Sequence, residues 1–382
     1  MRLSRGLLSL VLAPLLTGCA GEYPQSSIAP VSDFAEIIHG LYVDVFWWSI
    51  VVTAVVWIAL AVTLVKFRDR PGAPEPKQTH GHLGLEIGWT IAPALIVVAI
   101  AIPTIQAVFA TQQGADEDSY VIDVVGHQFW WEVRYPDGVV TANELHLPVG
   151  VPVSLRMHSA DVIHSFWVPQ IGGKRDVNPL VALPEGRESF YTWLHFTVHE
   201  PGTYMGQCAE FCGDSHALMA MRVVAESEES FQGWLRDWQA GADTAAAEEV
   251  PPTAPEEAPA GEEQTSPQLQ QPGGAVASEP DLVAEGREIF HASTCIACHA
   301  IEGTNAQGVI APNLTLMGRR STIAAGWLEN TQENLVRWIV SPTAVKPGAL
   351  MPGVAEAGGD WPPTNLSEDQ VEAVAAYLAS LR

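Results

Sequence analysis

Cys208-Ala209-Glu210-Phe211-Cys212-Gly213-Asp214-Ser215-His216-Ala217-Leu218-Met219 gathers two cysteines, a histidine and a methionine into one short run, C-x-E-x-C-x3-H-x2-M. Thiolate and thioether are soft ligands, and together with imidazole they select copper over harder ions. One cysteine with one histidine and one methionine would already suit a single copper of the blue type. The second thiolate changes the stoichiometry. Two thiolates can bridge two metal ions, and each ion then needs an imidazole of its own. The second imidazole must come from another loop, and His164, in Ser159-Ala160-Asp161-Val162-Ile163-His164-Ser165-Phe166, is placed for it at the end of a β-like stretch. Bridging lets the two metals share one electron, which spreads the charge change and suits a relay better than a substrate site. A structural zinc or a Cys208–Cys212 disulfide are the competing readings, and neither has a use for Met219.

Around this run, from Tyr120 to about Val224, the chain is a series of short β-rich stretches. Examples are Val121-Ile122-Asp123-Val124-Val125, Pro152-Val153-Ser154-Leu155-Arg156 and Ser189-Phe190-Tyr191-Thr192-Trp193, punctuated by turn residues as at Pro136-Asp137-Gly138 and Pro201-Gly202. The spacing predicts a Greek-key sandwich or barrel. An amphipathic helix carrying Phe231, Trp234, Leu235 and Trp238 is expected to close this domain, 113–240.

Upstream, two apolar runs, at about 41–67 and 87–109, are long enough to cross a bilayer. Lys66, Arg68, Arg70 and Lys77 lie between them, whereas Asp116, Glu117 and Asp118 follow the second. The positive-inside rule therefore puts the connecting loop in the cytoplasm and everything after residue 110 outside. The first 18 residues read as an export signal, with Arg2 and Arg5 ahead of an apolar run that ends in Leu16-Thr17-Gly18-Cys19. This box resembles that of bacterial lipoproteins, which implies cleavage before Cys19 and a lipid on its thiol, so that 19–112 is a lipid-anchored segment and membrane hairpin.

Downstream, residues 241–280 are mostly Ala, Pro, Glu and Gln, too poor in large apolar side chains to fold. They read as a linker, and a flexible chain of that length spans roughly 35 Å. A second domain, 281–382, is expected to be helical, with one helix before Cys295, one around 333–340 and a last one opened by the capping box Ser367-Glu368-Asp369-Gln370. It contains Cys295-Ile296-Ala297-Cys298-His299, in which two thiols form thioethers to haem vinyl groups and the histidine binds iron. A redox dithiol of the thioredoxin kind is the alternative, against which His299 and the missing βαβ pattern count. The sixth iron ligand is expected to be Met351, in Lys346-Pro347-Gly348-Ala349-Leu350-Met351-Pro352-Gly353, with Met317, the other methionine after His299, as the alternative.

The five cysteines fall into a singlet and these two pairs, so none is left for a long-range disulfide. A formal charge of -25 argues against nucleic acid and suits a basic partner such as a mobile cytochrome.

The run from Cys208 to Met219 resembles the copper A motif of cytochrome c oxidase subunit II, and 281–382 resembles class I cytochromes c, with Gly286, Phe290, Pro312 and Tyr377 at matching places. The resemblance implies a two-helix transmembrane hairpin, an all-β cupredoxin-like sandwich and an all-α class I cytochrome c domain. It also implies two copper ions bridged by Cys208 and Cys212, each held by His164 or His216, with Met219 and the Glu210 carbonyl as weak axial ligands. The Glu210 carboxylate would face a magnesium shared with subunit I, and Glu86 would stand near a proton-uptake path. Gly126-His127-Gln128-Phe129-Trp130-Trp131 resembles the family's aromatic stretch beside the copper, except that many members have tryptophan where this chain has Phe129.

On this reading the chain is an electron-transfer subunit of a proton-pumping respiratory oxidase in a bacterial inner membrane. Its partners are subunits I and III, membrane lipid and an upstream donor, a cytochrome c or cytochrome bc complex; nucleic acid is not among them. The copper A subunit of a nitric oxide reductase and a membrane-tethered copper-delivery protein are the alternatives.

Overall fold

The computed structural model describes residues 23–72, 75, 78, 80–112, 114, 118–180, 190–247 and 279–382. The signal with Cys19, residues Lys77, Asp116, Glu117 and Ser189, and the linker core 248–278 lie outside the described residues.

Two long helices come first, α1 (Asp33–Lys66) and α2 (Leu83–Ala110), both long and apolar enough to cross a membrane. Most of their large apolar side chains, Trp47, Val55, Trp57, Ile91 and Leu95 among them, lie exposed, as lipid contact requires. Both helices begin earlier than the apolar runs do, because polar caps extend them. Ser32 Oγ accepts the N–H of Ala35, and His82 Nδ1 accepts that of Leu85. The added turn of α1 is buried at Phe34 and Ala35, and Asp33 accepts the N–H of Thr197, so α1 starts inside the following β domain. At the same end of the hairpin, Arg175 of that domain donates to the carbonyl of Thr111, just past α2.

The β domain is a sandwich of two five-stranded sheets, in the orders β3-β2-β1-β5-β8 and β4-β10-β9-β6-β7. The first comprises β1 (Tyr120–His127), β2 (Trp130–Arg134), β3 (Val140–Ala142), β5 (Pro152–Ser159) and β8 (Thr192–Thr197). The second comprises β4 (Glu144–Pro148), β6 (His164–Trp167), β7 (Arg175–Val177), β9 (Gly202–Cys208) and β10 (Ala220–Glu226). Alternation sets the faces: Ile122, Val124, Leu155 and Met157 from one sheet meet Leu145, Leu147, Met221 and Val223 from the other. The stretch expected at 189–193 is displaced, since the strand is β8, where Leu194 and Phe196 are buried, and Phe190 is exposed. His164 opens β6 and does not end a strand. Helix α3 (Glu228–Ala247) lays Phe231, Leu235 and Trp238 on the core and runs into the expected linker, because Ala245-Ala246-Ala247 favours helix.

The C-terminal domain has α4 (Glu279–Ala292), the short α5 (Cys295–Cys298), α6 (Gln332–Val340), α7 (Pro342–Val345) and α8 (Glu368–Ser380). Ser367 and Gln370 form the capping box of α8. The helices α4 and α8 cross at Gly286, where an added Cβ would fall 1.9 Å from the carbonyl oxygen of Ala373. Phe290 and Tyr377 pack beside that crossing, with ring centroids 5.8 Å apart. Gly286→Ala must therefore separate the helices, and it is expected to destabilise this domain by about 1–3 kcal/mol, seen as a lower thermal midpoint by circular dichroism.

Candidate metal centre

Strand pairing brings the copper-type ligands together. The strands β6 and β9 are antiparallel with Phe166 opposite Cys208, which puts His164, two residues before Phe166, at the same end of the sheet as Cys208. The loop after β9 then carries Cys212 and a single 3-10 turn, His216–Leu218, and is closed where the N–H of Cys208 donates to the carbonyl of Met219 at 2.8 Å. The two sulfurs stand 3.9 Å apart, whereas a disulfide would need about 2.05 Å. Each has its own imidazole: His164 Nδ1 is 3.8 Å from Cys208 Sγ, and His216 Nδ1 is 3.7 Å from Cys212 Sγ. Met219 Sδ lies 3.9 Å from Cys212 Sγ, and the Glu210 carbonyl oxygen 3.3 Å from Cys208 Sγ. The ligand atoms of His164, Cys208 and Cys212 lie within 4.8 Å of one another, and His216, Met219 and the Glu210 carbonyl each reach one of the two sulfurs; Cys208, Cys212, His164 and Met219 are buried. The Glu210 carboxylate points elsewhere, accepting the N–H of Phe211.

Electrostatics favours an ionised sulfur here. The hydrogen-bonded pairing with Cys212, helped by His164 and backbone N–H groups, outweighs burial and holds the Cys208 thiol well below its ordinary value. The same pairing pushes Cys212 up. Burial disfavours charge on His164, but hydrogen bonds with Asp161 and Cys208 outweigh it and leave its pKa raised. Asp161 Oδ1 is 2.7 Å from His164 Nε2, and Asp161 Oδ2 accepts the N–H of Gln128 at 2.6 Å. That carboxylate fixes the imidazole so that Nδ1 faces the sulfurs, the arrangement that ligating histidines commonly have. The D-x-x-H spacing is visible in the sequence, but no role for Asp161 follows from it alone.

In the C-terminal domain, Cys295, Cys298 and His299 line a cavity of about 550 Å³, within the range of ligand-sized pockets. His299 Nδ1 donates to the carbonyl of Pro312 at 2.8 Å, which leaves Nε2 as the atom free to bind. Burial pushes the Cys295 and Cys298 thiols up, the opposite of what a redox dithiol needs. Both Met351 and Met317 line the cavity, Met317 as part of the buried core and Met351 half-buried.

The remaining candidates are scattered. Trp131 is fully buried in the β core, edge-on to His164 at 5.8 Å between centroids. Trp130 stacks on His127 at 4.2 Å, and both line the cavity with Phe129. Glu86 lies in the first turn of α2, at the end of the hairpin away from the β domain, and its Oε1 accepts the N–H of His82 at 3.1 Å. A carboxylate there is stabilised by the helix dipole as well. Sequence reasoning misses Lys346, Ser215 and Glu144, which join the two domains; their partners are far away in sequence, and no local signal marks them.

Three family descriptions match the chain in series. "Cytochrome C oxidase subunit II, transmembrane domain" covers residues 24–107, "Cytochrome C oxidase subunit II, periplasmic domain" covers 138–227, and "Cytochrome c" covers 283–382. The chain is 34% identical to cytochrome c oxidase subunit 2 of Alkalihalophilus pseudofirmus, over 99% of this chain and 97% of that one. It is 32% identical to cytochrome c oxidase subunit 2 of Bacillus subtilis, over 99% and 98%. Among solved structures, the periplasmic domain of subunit II of the Bradyrhizobium japonicum cytochrome oxidase is 27% identical, with a TM-score of 0.28, covering 32% of this chain and 96% of that one. Full-length similarity, the two apolar helices, the sandwich with its clustered thiols and the C-x-x-C-H pocket converge on one assignment: this chain belongs to the cytochrome c oxidase subunit II family and carries a fused cytochrome c domain.

Proposed function

We propose that the chain receives electrons at a haem c in its C-terminal domain and passes them, by way of a dinuclear copper centre in the sandwich, to a catalytic subunit that reduces dioxygen and pumps protons. The observation that carries this reading is the pair of sulfurs 3.9 Å apart, each with its own imidazole nitrogen at 3.7–3.8 Å. Two half-sites, each a sulfur with its own imidazole, suit two metals sharing one charge, which spreads the reorganisation of electron transfer over both. Bound copper would supply a one-electron couple, and bound haem a second, tuned upward by a methionine ligand.

The chain's own residues do the rest. Cys208, Cys212, His164, His216, Met219 and the Glu210 carbonyl would hold the two coppers. Asp161 orients His164, and burial of the cluster keeps water from adding as a ligand. Cys295 and Cys298 would bind the haem covalently, and His299 and Met351 would ligate its iron. Phe129 lines the pocket beside Gly213 of the metal loop, Trp131 lies edge-on to His164 and Trp130 lines the pocket, and together they would offer a path. The Glu210 carboxylate, exposed beside the metal loop, would bind magnesium at the contact with subunit I. Glu86 would serve proton uptake at the cytoplasmic end. In this arrangement 19–112 anchors the chain in the bacterial cell membrane, the sandwich and cytochrome face the outside, and an external cytochrome or cytochrome bc complex is the donor. Subunit III completes the enzyme.

Rapid reduction of the full, metal-loaded chain tests this reading: the haem bands should reduce first, and a near-infrared copper band should bleach as the haem reoxidises. A single zinc in the sandwich, or a copper that reduces before the haem, would overturn it. Co-purified catalytic subunit should consume dioxygen faster than nitric oxide. Asp161→Asn leaves the ligands in place but frees the imidazole, and is expected to weaken copper binding by roughly 10–100-fold in a competition titration. Met351→Leu should abolish the methionine-to-iron charge-transfer band and lower the haem potential. Met317→Leu should keep both, with a stability change below about 1.5 kcal/mol.

A further inference from the structure

The cavity that holds Cys295, Cys298 and His299 is not enclosed by its own domain. His127, Gln128, Phe129, Trp130, Asn143 and Asp161 of the sandwich form one side of it. Around that side runs a seam of cross-domain hydrogen bonds. Glu144 is 6% exposed, and its Oε1 accepts from Ser321 Oγ at 2.5 Å, from the Ser321 N–H at 2.9 Å and from the Thr322 N–H at 3.3 Å. The Ala220 N–H donates to the carbonyl of Ala325 at 3.1 Å, and Arg222 donates to Ser321 Oγ at 3.1 Å. On the opposite flank the loop leading to Met351 is fastened to the metal loop's surroundings. Lys346 Nζ donates to the Phe129 carbonyl and Ser215 Oγ donates to the Pro347 carbonyl. A Cβ added at Gly348 would lie 3.3 Å from the Phe129 ring.

A carboxylate is buried in such a seam only where enough donors replace its water, and the Ser321 and Thr322 donors to the Glu144 carboxylate all belong to the other domain. We propose that the sandwich is a wall of the haem pocket, clamped in place by Glu144 on Ser321 and Thr322, so that docking of the two domains sets how much water reaches the haem and thereby its potential. This rests on the reading of the cavity as a haem c site. Water excluded from that wall disfavours the more charged ferric state, so the docked haem has the higher potential, and opening the seam lowers it.

The test uses the full chain loaded with haem and copper, with Glu144→Ala, Ser321→Ala and the double variant. Hydrogen exchange at the Ala220 amide reports the open fraction, and an optical redox titration reports the haem potential. Hydrogen bonds to a charged group contribute about 1.5–3 kcal/mol, so exchange should quicken roughly 10–100-fold in Glu144→Ala. The double variant should also shift the haem midpoint downward. Arg319→Ala, which removes the exposed cross-domain pair with Asp237, should quicken exchange by no more than about fivefold and leave the potential unmoved. Should Glu144→Ala lose its copper spectrum through misfolding, Ser321→Ala, at an exposed position, carries the same comparison. Faster exchange with an unmoved potential overturns the wall, and unchanged exchange overturns the clamp. Absence of covalent haem in a denatured spectrum would instead count against the underlying haem reading.

Discussion

The structure depends on one constraint: two thiols from a single loop must each meet an imidazole without meeting one another. A free loop would close to a disulfide or splay apart. Here the loop is tied at both ends, because Cys208 ends β9 and its N–H bonds to the carbonyl of Met219, immediately before β10. The pairing of β9 with β6 brings in His164, and the 3-10 turn brings in His216. The sandwich is therefore the frame that holds a short, strictly spaced ligand set. Its packed core of Leu145, Leu155, Met157 and Met221 resists the small shifts that would let the sulfurs close on each other.

The same frame carries the electrostatics. A buried thiolate is costly unless paired. Cys208 is paired three ways, by Cys212, His164 and backbone N–H groups, while Asp161 stabilises the imidazole from its other side. Asp161 also bonds to the Gln128 N–H and faces the neighbouring cavity. One carboxylate thus links the orientation of the His164 imidazole to the lining of the neighbouring cavity. The anchoring of α1 and the end of α2 on the sandwich fixes this ensemble at one face of the membrane.

Much of this is legible in the sequence because it is local. The spacings C-x-E-x-C-x3-H-x2-M and C-x-x-C-H, the two apolar runs and the Ser367–Gln370 capping box each state their own chemistry within a few residues. What escapes the sequence is whatever depends on distant partners or on weak periodicity. The helix starts at Ser32 and His82 are hidden since polar caps lie outside the apolar run. The strand at Thr192 begins later than its composition suggests, because Phe190 and Tyr191 look like strand residues although Phe190 is exposed. Glu144, Ser215 and Lys346 are invisible because each finds its partner more than a hundred residues away.

The linker's composition and the seam's chemistry fit together quantitatively. A short flexible connection supplies an effective concentration in the millimolar range, so an interface with millimolar affinity of its own would be about half formed. Two or three charge-assisted hydrogen bonds in such a seam, at about 1.5–3 kcal/mol each before mutual offsets, suffice to make the docked state dominant while leaving opening fast. An apolar interface of the same extent would dock as well but would expose a sticky face whenever it opened, beside a pocket that must stay dry. Here Leu316 gives the sandwich core an apolar contact while the seam is polar, and when shut Glu144, Ser321 and Thr322 satisfy one another. On the proposed reading, the clamp sets how long the pocket stays closed.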